Sequence, residues 1–305
     1  TKLSVDVLDR AVSAVVKGPS SAGKNFVTER VLTFVPADSY VELSSMSERS
    51  LIYDEPMAHK TIVLYEQRGL GNGEFLAYII RSLISEGRLR YKTVEKEPDG
   101  KHRTRTIVRE GPTNLITTTT RLHVDRETET RLLSAPMNDT AAQTLAIMGE
   151  QATEAEGVER RAVDLAEWHA LHGWLTHAEH RVVIPFARRL ARLIPPAAVR
   201  LRRDFPTLLV LIKTHAILHQ LNRQRDARER VVATLDDYAV VRGLVADLLA
   251  EGVEIKVPAT IRETVEAVRA LRHEGIQTEH LSVRRVARHL GLDESAAWRR
   301  VQAAI

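Results

Sequence analysis

The most constraining feature of the chain is a glycine-containing loop between an apolar segment and a helix-forming segment, in residues 15–30, VVKGPSSAGKNFVTER. The pattern G-x-x-x-x-G-K-[ST] is met at Gly18, Gly23 and Lys24, but Asn25 stands where a hydroxyl residue is expected. Such a loop offers backbone N–H groups and a helix amino terminus to phosphate, while the lysine reaches the β and γ oxygens. We therefore expect an α/β fold that binds ATP through Gly18, Pro19, Ser20, Ser21, Ala22, Gly23, Lys24 and Asn25.

A second segment supplies the acidic end of such a nucleotide site. In KTIVLYEQ, residues 60–67, apolar residues precede Glu66, which is placed to polarise an attacking water. Tyr65 stands where an aspartate normally organises the Mg²⁺ shell. We expect Asn25 and Glu66 to be the metal ligands, because an amide carbonyl is a neutral but legitimate ligand for a hard cation. Both departures from the usual pattern thus concern the metal, and none concerns the phosphate-binding residues.

Two polar groups further along the chain are candidates for the catalytic machinery. The segment GPTNLITTTTR predicts a strand with Asn114 near its start and Thr118 among its hydroxyls. A polar residue at the end of a strand beside the acidic one can orient water against the γ-phosphate, and the alternative is a plain edge strand. Arg131 precedes another apolar strand and can reach the nucleotide of a neighbouring subunit, as trans-acting arginines do. The alternative for Arg131 is a solvated surface residue.

The apolar periodicity divides the 305-residue chain into three parts. Residues 1–140 alternate β-branched runs with helix-like stretches, which is typical of a parallel α/β sheet. Residues 141–252 show helical spacing interrupted by prolines, including Pro206, and predict a helical domain. Residues 253–305 predict a third, small helical unit. The predicted strands of the first part are residues 14–17, 40–43, 61–65, 115–118 and 132–135.

Composition excludes several classes of protein. The chain has no cysteine, which rules out a disulfide scaffold and a thiolate zinc site and fits a reducing cytoplasm. No apolar run approaches the roughly 20 residues that span a bilayer, and the amino-terminal segment lacks a signal-peptide pattern. We therefore expect a cytoplasmic location and no membrane partner. Because the chain begins at Thr1, we also expect a segment upstream of it.

The order of these motifs resembles that of the AAA+ ATPases: phosphate loop, acidic strand, threonine-rich strand and arginine. Before the threonine-rich strand, residues 88–111 read RLRYKTVEKEPDGKHRTRTIVREG, two strand-like arms around a Pro-Asp-Gly turn. A hairpin at this place, about residues 89–110, is similar to that of the mini-chromosome-maintenance and superfamily 3 helicases. These proteins form rings and grip DNA with such hairpins. The chain most resembles the helicase modules of phage and mobile-element primase-helicases, which pair such a motor with a primase domain.

The resemblance implies an AAA+ P-loop domain with a parallel sheet and an inserted β-hairpin, then a helical lid and a C-terminal winged-helix-like helix-turn-helix. It implies a ring of identical subunits, as a hexamer, with single-stranded DNA as partner and an upstream primase domain. The roles that it implies are phosphate binding for Lys24, catalytic base for Glu66, sensor 1 for Thr118 or Asn114, arginine finger for Arg131 and sensor 2 for Arg202 or Arg203.

Basic residues at the hairpin tip are the first candidates for DNA contact. Lysine and arginine neutralise backbone phosphates without reading bases, which suits a motor that moves along any sequence. The alternative is a solvated charged hairpin, because most charge runs are surface. The tip residues concerned are Lys101, His102, Arg103 and Arg105.

The carboxyl-terminal segment LSVRRVARHLGLDESAAWRRVQAAI predicts a helix-turn-helix. Ser282 and Asp293 are placed to cap its two helices, and Gly291 is placed to end the first. The second helix presents Arg299 and Arg300, which favours contact with DNA, although many such domains bind proteins.

These motifs together predict an ATP-dependent DNA helicase that translocates on single-stranded DNA during replication of a phage or mobile element. Two alternatives stay open. In the first, ATP binding assembles a scaffold on DNA and hydrolysis is slow or absent, in line with Asn25 and Tyr65. In the second, the chain is a sequence-specific regulator that uses the helix-turn-helix.

Overall fold

The structure of the chain is a computed structural model. It describes residues 2–43, 50–53, 57–65, 74–96, 102–120, 128, 130–158, 163–195, 198–254, 259–273 and 282–304. The chain forms two compact units: the first comprises Thr1–Pro195 with Arg202–Leu248, and the second Pro196–Leu201 with Leu249–Ile305. The domain boundaries predicted at residues 140 and 252 stay predictions.

Strands and helices alternate along the first part of the chain. The strands are β1 (Ser13–Lys17), β2 (Tyr40–Leu43), β3 (Lys60–Leu64), β4 (Arg88–Lys96), β5 (His102–Glu110), β6 (Thr113–Thr119), β7 (Leu132–Pro136), β8 (Val182–Val183) and β9 (Val231–Val232). The helices are α1 (Lys2–Val7), α2 (Lys24–Leu32), α3 (Ser50–Tyr53), α4 (Glu74–Glu86), α5 (Ala141–Ala155), α6 (Ala166–His177), α7 (Ala187–Leu193), α8 (Leu201–Leu218), α9 (Leu235–Glu254), α10 (Ala259–His273), α11 (Val283–Leu290) and α12 (Glu294–Ala304).

A five-stranded sheet forms the centre of the first unit, in the order β2-β3-β6-β1-β7. All adjacent pairs in this sheet are parallel. Every strand therefore ends at one edge, called here the carboxyl edge, and begins at the opposite amino edge. The prediction of a parallel α/β sheet is confirmed, and the arrangement is compatible with a P-loop-like α/β fold.

The main core of the first unit lies between one face of the sheet and α4. Its completely or almost completely buried side chains include Ile62, Leu64 and Leu115 from the sheet and Ile79 and Leu83 from α4. Burying a side chain of this size stabilises the fold by about 1.5–3 kcal/mol. This packing fixes β3 and β6, and β6 lies next to β1 with its carboxyl end against the loop that follows β1.

The threonine-rich strand β6 lies between β3 and β1, and each of its residues is buried. Its hydroxyls tolerate burial because they hydrogen-bond inside the sheet. Thr113 Oγ1 donates to Met57 O at 2.7 Å, and Thr117 Oγ1 donates to Leu64 O at 2.9 Å. A buried hydroxyl without a partner would cost about 1–3 kcal/mol. Because β6 lies between two other strands of the sheet, the alternative interpretation of this segment as an edge strand is wrong.

Strands β4 and β5 form an antiparallel hairpin outside the parallel sheet. Pairing runs from Arg88 opposite Glu110 to Lys96 opposite His102. At the base of the hairpin, Gly111 N donates to Gly87 O at 2.7 Å. A Cβ atom at Gly111 would lie 2.5 Å from that oxygen, so the base closes this tightly only with glycine.

The prediction that Pro206 interrupts a helix is wrong, because Pro206 lies inside α8. Because Pro206 lies near the start of the helix, it removes only one backbone hydrogen bond, the one to the carbonyl of Arg202.

Among the described residues, no helix is both long enough and apolar enough to cross a membrane.

A buried carboxylate joins α8 to α9 within the first unit. Asp237, which is fully buried, accepts hydrogen bonds from Arg223 Nη2 at 2.7 Å and from the backbone N–H of Thr234 at 2.7 Å. His215 Nδ1 lies 2.6 Å from the same carboxylate. Burial alone would raise the pKa of Asp237, but these hydrogen bonds outweigh burial and lower it to about 2.

Replacing Asp237 with asparagine is expected to lower the free energy of unfolding by about 3 kcal/mol, because Arg223 keeps a buried charge without its partner. In the parent, the depressed pKa contributes about 2 kcal/mol of stability above the unfolded pKa. That contribution is lost as pH falls from about 4 to about 2. Acid unfolding followed by circular dichroism measures both effects. The matched control is Asp236→Asn at the exposed neighbouring position, and equal behaviour of the two variants would contradict the prediction.

The second unit contains α10, α11 and α12, whose small apolar residues meet at Val286, Ala287 and Ala297, all buried. Gly291 ends α11 with φ 65°, as predicted. Asp293 caps α12 as predicted, because its Oδ1 accepts from Ser295 N at 3.0 Å and Ala296 N at 2.9 Å. Ser282 stands at the start of α11, but its side chain makes no capping hydrogen bond.

Candidate functional site

The loop after β1 is held against the carboxyl edge of the sheet. Gly18 N donates to Thr119 O at 3.2 Å, at the end of the neighbouring strand β6. A Cβ atom at Gly18 would lie 2.9 Å from Met137 Cβ, so the chain passes Met137 only as glycine. The loop therefore begins at a site that excludes side chains, and its backbone is the surface that it offers to a ligand.

Left-handed residues bend the loop back toward the helix. Ser21 has φ 67° and Gly23 has φ 80°, and α2 begins at the next residue, Lys24. Glycine adopts this conformation at no steric cost, while serine there stores strain of the kind found at ligand sites. Alternating handedness turns successive backbone N–H groups inward, and together with the amino end of α2 it makes an anion-binding concavity.

The ammonium of Lys24 lies inside this loop. Lys24 Nζ donates to Gly18 O at 3.0 Å and to Pro19 O at 2.6 Å, and the residue is only 7 % exposed. The lysine thus places a positive charge beside the loop backbone, where a phosphate oxygen would complete its donor set. The residue types and geometry of Gly18, Gly23 and Lys24 all fit a bound phosphate.

Two predicted site residues meet directly behind the loop. Thr118 Oγ1 donates to Asn25 Oδ1 at 3.1 Å, which joins β6 to the first turn of α2. The contact fixes the amide of Asn25 with its oxygen toward Thr118. An amide oxygen and a hydroxyl are both acceptable oxygen ligands for a hard cation, so this pair fits Mg²⁺ as part of a ligand set.

An acidic residue that was not among the predicted site residues lies near the same edge. Tyr65, which follows β3, donates its hydroxyl proton to Glu42 Oε1 on β2 at 2.6 Å. Burial, followed by this hydrogen bond and the charge of Glu42, raises the pKa of Tyr65 well above its ordinary value. The phenol therefore stays protonated and the carboxylate of Glu42 is oriented toward it. The signal was available in the sequence as the acid in YVEL, near the end of a predicted strand. The predicted base Glu66 lies outside the described residues.

The structure separates Asn114 from the loop. Asn114 is paired with Thr61 at the start of β3, and its Nδ2 donates to Val12 O at 3.0 Å, just before β1. It is fully buried at the amino edge, opposite the loop. A catalytic role for Asn114 is therefore corrected to a structural one. Of the two predicted sensor residues, only Thr118 lies beside the loop.

Arg131 and Arg203 also lie at the amino edge. Arg131 directly precedes β7, where its Nε donates to Ser85 Oγ at 2.8 Å. Arg203 Nη1 donates to Thr130 Oγ1, next to Arg131 in the chain. Arg202 is exposed near the start of α8. The length of β1 separates this edge from the loop by about 17 Å, which is more than an arginine side chain spans.

The predicted DNA-contacting residues have different environments. At the hairpin tip, Lys101 lies outside the described residues, while His102, Arg103 and Arg105 are exposed. Arg105 Nη1 lies 3.4 Å from Glu95 Oε2. In the second unit, Arg300 pairs with Glu263 of α10 at 3.0 Å, and Arg299 Nε donates to Ser295 O at 3.4 Å. Arg299 therefore remains on the exposed face of α12, whereas Arg300 is engaged within its own unit.

Comparison with known proteins adds no relative to this description. No protein-family model matches the chain, and a search of curated proteins finds none similar to it. The function proposed below therefore rests on the geometry of the loop and its surroundings.

Proposed function

We propose that the chain is the motor of a ring-forming, AAA+-type DNA helicase of a phage or mobile element, which binds ATP at the loop of residues 18–25. The single observation that carries the proposal is the contact of Thr118 with Asn25 at the carboxyl edge of a β2-β3-β6-β1-β7 sheet. It brings a polar side chain of the central strand to the loop position next to the phosphate-binding lysine. A hexamer with an upstream primase domain is the form that we propose.

The phosphates of ATP would be held by the loop backbone and Lys24. The ammonium already lies among loop carbonyls, at 3.0 Å from Gly18 O and 2.6 Å from Pro19 O, so little reorganisation is needed for it to meet a phosphate. Asn25 and Glu66 would hold Mg²⁺, with Thr118 orienting the amide of Asn25. A bound Mg²⁺ neutralises charge on the phosphate oxygens as the terminal phosphoryl group is transferred to water.

Arg131 and Arg203 would act on the nucleotide of a second copy of the chain. Both lie at the amino edge, about 17 Å from the loop of their own copy. A head-to-tail interface brings the amino edge of one copy to the carboxyl edge of the next and closes into a ring when the rotation allows. Such an interface would complete the site with arginines that stabilise the charge developing in phosphoryl transfer.

A second candidate function is favoured by the contact between Tyr65 and Glu42. The phenol occupies the place of the usual metal-organising acid and donates at 2.6 Å to a carboxylate on the neighbouring strand. If Tyr65 and Glu42 take the place of the acid that organises Mg²⁺, the chain binds ATP and assembles on DNA but hydrolyses ATP slowly. A sequence-specific regulator acting through α11 and α12 is the third outcome.

The test is Mg²⁺-dependent ATPase activity of the whole chain, measured with and without single-stranded DNA. The motor predicts turnover that rises with DNA. Binding of ATP without turnover would support the scaffold. Loss of all DNA binding after deletion of residues 259–305, with the first unit intact, would support the regulator. The helicase proposal fails if ATP does not bind at all.

Replacing Thr118 with valine is expected to lower kcat by at least about 10-fold with little change in KM, because valine keeps the shape and removes the hydroxyl that orients Asn25. The matched control is Thr117→Val, since Thr117 donates to Leu64 O within the sheet and not to the loop. Steady-state kinetics, together with the unfolding temperature of each variant, separates the loss of the contact with Asn25 from destabilisation of β6. Equal losses of kcat in both variants would show that destabilisation of β6 is the cause.

A further inference from the structure

An open cavity of about 830 Å³ lies at the amino edge of the sheet in the first unit. Its lining comes from the ends of α1 and α6, the start of β8, the middle of α8 and the turns before β1, β3 and β9. Arg10 lies shortly before β1, and His59 directly precedes β3. The length of β1 therefore separates this cavity from the phosphate-binding loop by about 17 Å. Its volume is that of a site for a small molecule.

Apolar packing between α1, α6 and α8 forms part of the wall of this cavity. Val7 of α1 and Ile217 of α8 are buried in one cluster, and Val182 of β8 packs against it. Val7 and Val182 also line the cavity, together with Leu8 and Val210. The cavity thus offers apolar surface as well as charge, and packed elements of a single unit set its shape.

Four positively charged side chains converge on the cavity from separate places in the chain: Arg10, Arg181, Lys213 and Arg230. Two of them are fixed by acids outside the described lining. Arg181 donates to Glu179 from Nε at 2.9 Å and from Nη2 at 2.6 Å. Arg230 donates to Asp226 from Nε at 2.8 Å and from Nη2 at 2.5 Å. The acids offset the charge of these two arginines, but each guanidinium keeps three of its five N–H groups for a ligand.

The other two cations of the cavity are not held in this way. In the part of the chain that the structure describes, the side chains of Arg10 and Lys213 have neither a hydrogen-bond nor an ion-pair partner. Arg10 is exposed, whereas Lys213 is half-buried in the middle of α8, one turn after Val210. An ammonium that is partly removed from water without a counter-charge is unfavourable, so an anion in the cavity would stabilise it.

The two acids that line the cavity do not neutralise these cations. The nearly buried carboxylate of Asp6 accepts a hydrogen bond from Lys2 Nζ and lies 3.1 Å from His172 Nε2. Asp9 is exposed, and among the described residues its side chain has no hydrogen-bond or ion-pair partner. Asp9 lowers the positive potential of the cavity, but the lining keeps an excess of cations over acids.

We propose that this cavity binds a small organic phosphate, a molecule with a phosphate group and an apolar or aromatic part, and that Arg10 and Lys213 are its main charged contacts. A phosphate accepts several charge-assisted hydrogen bonds at once, and arginine supplies donors in a fixed geometry that matches it. The apolar lining at Val182 and Val210 then covers the rest of the molecule. The site is distinct from the proposed ATP site and does not depend on it.

The test is isothermal titration calorimetry of the whole chain with phenyl phosphate. All proteins carry Lys24→Met, so that the phosphate-binding loop does not contribute to the signal. Adding Arg10→Gln with Lys213→Gln is expected to weaken binding by at least about 10-fold, which corresponds to the loss of one charge-assisted hydrogen bond. Adding Arg10→Lys with Lys213→Arg keeps both charges and is expected to cost less affinity than the glutamine pair. This comparison separates loss of charge from loss of packing.

Two further variants keep the test decisive. Arg188→Gln with Arg189→Gln removes two charges from exposed positions of α7 outside the described lining, and it is expected to change the affinity by less than about twofold. Asp9→Asn is expected to tighten binding by up to about fivefold, because it removes a negative charge near the phosphate. Loss of structure would not tighten binding. The unfolding temperature of each variant shows that it is folded.

Two other ligands test the chemistry of the site. Inorganic phosphate is expected to bind about fivefold more weakly than phenyl phosphate, because it leaves the apolar lining uncovered. A thymidine oligonucleotide is expected not to displace phenyl phosphate. Four results would each overturn the proposal: no measurable binding of phenyl phosphate at millimolar concentration, equal losses in the two glutamine pairs, weaker binding in Asp9→Asn, and displacement by the oligonucleotide.

Discussion

Replacement of Lys24 with methionine is expected to weaken ATP binding by about 10- to 100-fold and to abolish turnover. The ammonium is nearly buried in the loop, so its charge-assisted contacts with phosphate form in a partly desolvated setting. A hydrogen bond to a charged group contributes about 1.5–3 kcal/mol, and the one donor that Lys24 has left for phosphate corresponds to a loss of about 10- to 100-fold. Isothermal titration calorimetry with a non-hydrolysable ATP analogue measures the affinity directly.

A control variant separates the loss of phosphate contact from a general effect of removing a lysine charge from the sheet. Lys60→Met makes the same substitution at the first residue of β3, at the opposite edge of the sheet. The control is expected to bind the analogue as tightly as the parent. Lys24→Met also removes the hydrogen bonds that Lys24 gives to Gly18 O and Pro19 O, and their loss can disorder the loop. If Lys24→Met and Lys60→Met shift affinity equally, Lys24 does not contact the phosphates.

The sequence predicted the sheet well because its signals are local. Each strand carries a run of β-branched or apolar residues, and the loop of residues 18–24 bears a pattern whose glycines have identifiable physical reasons. Gly18 passes Met137 at a distance that excludes a side chain, and Gly23 adopts a left-handed conformation. Both constraints act within the loop or at the end of an adjacent strand, so the motif alone indicates them.

The errors have a common cause, since each depends on which edge of the sheet or which partner a side chain meets. Asn114 and Thr118 belong to one strand and are four residues apart, yet about 13 Å of strand places them at opposite edges. Composition does not show which end of β6 borders the loop until the strand order is known. Glu42 was missed for the same reason, because its contact with Tyr65 depends on β2 lying beside β3.

The basic residues show a related limit. The tip sequence GKHRTR indicates a cluster, but alternation along β5 places His102 on one face of the hairpin and Arg103 and Arg105 on the other. The cross-strand neighbour Glu95 then compensates the arginine face. A charge run in a strand therefore predicts a charged surface only after its register with the partner strand is known.

Mixing two inactive variants is expected to restore ATPase activity if Arg131 acts on a second copy. Arg131→Ala alone is expected to lower turnover by about 1,000-fold or more, the range found for arginines that act in trans. In an equal mixture with Lys24→Met, about one interface in four would combine an intact lysine with an intact arginine from the next copy. Activity near a quarter of the parental value is therefore expected from two proteins that are each inactive.

The same mixture excludes the arrangement in which Arg131 serves the loop of its own copy. In that case every subunit would lack either the lysine or the arginine, and mixing would restore nothing. The bond from Arg131 Nε to Ser85 Oγ at 2.8 Å gives the control, since Ser85→Ala breaks it without removing the guanidinium. Retained activity in Ser85→Ala would show that the hydrogen bond of Arg131 to Ser85 is not required. Together with restored activity in the mixture, it would show that the guanidinium charge of Arg131 acts on the nucleotide of the next copy.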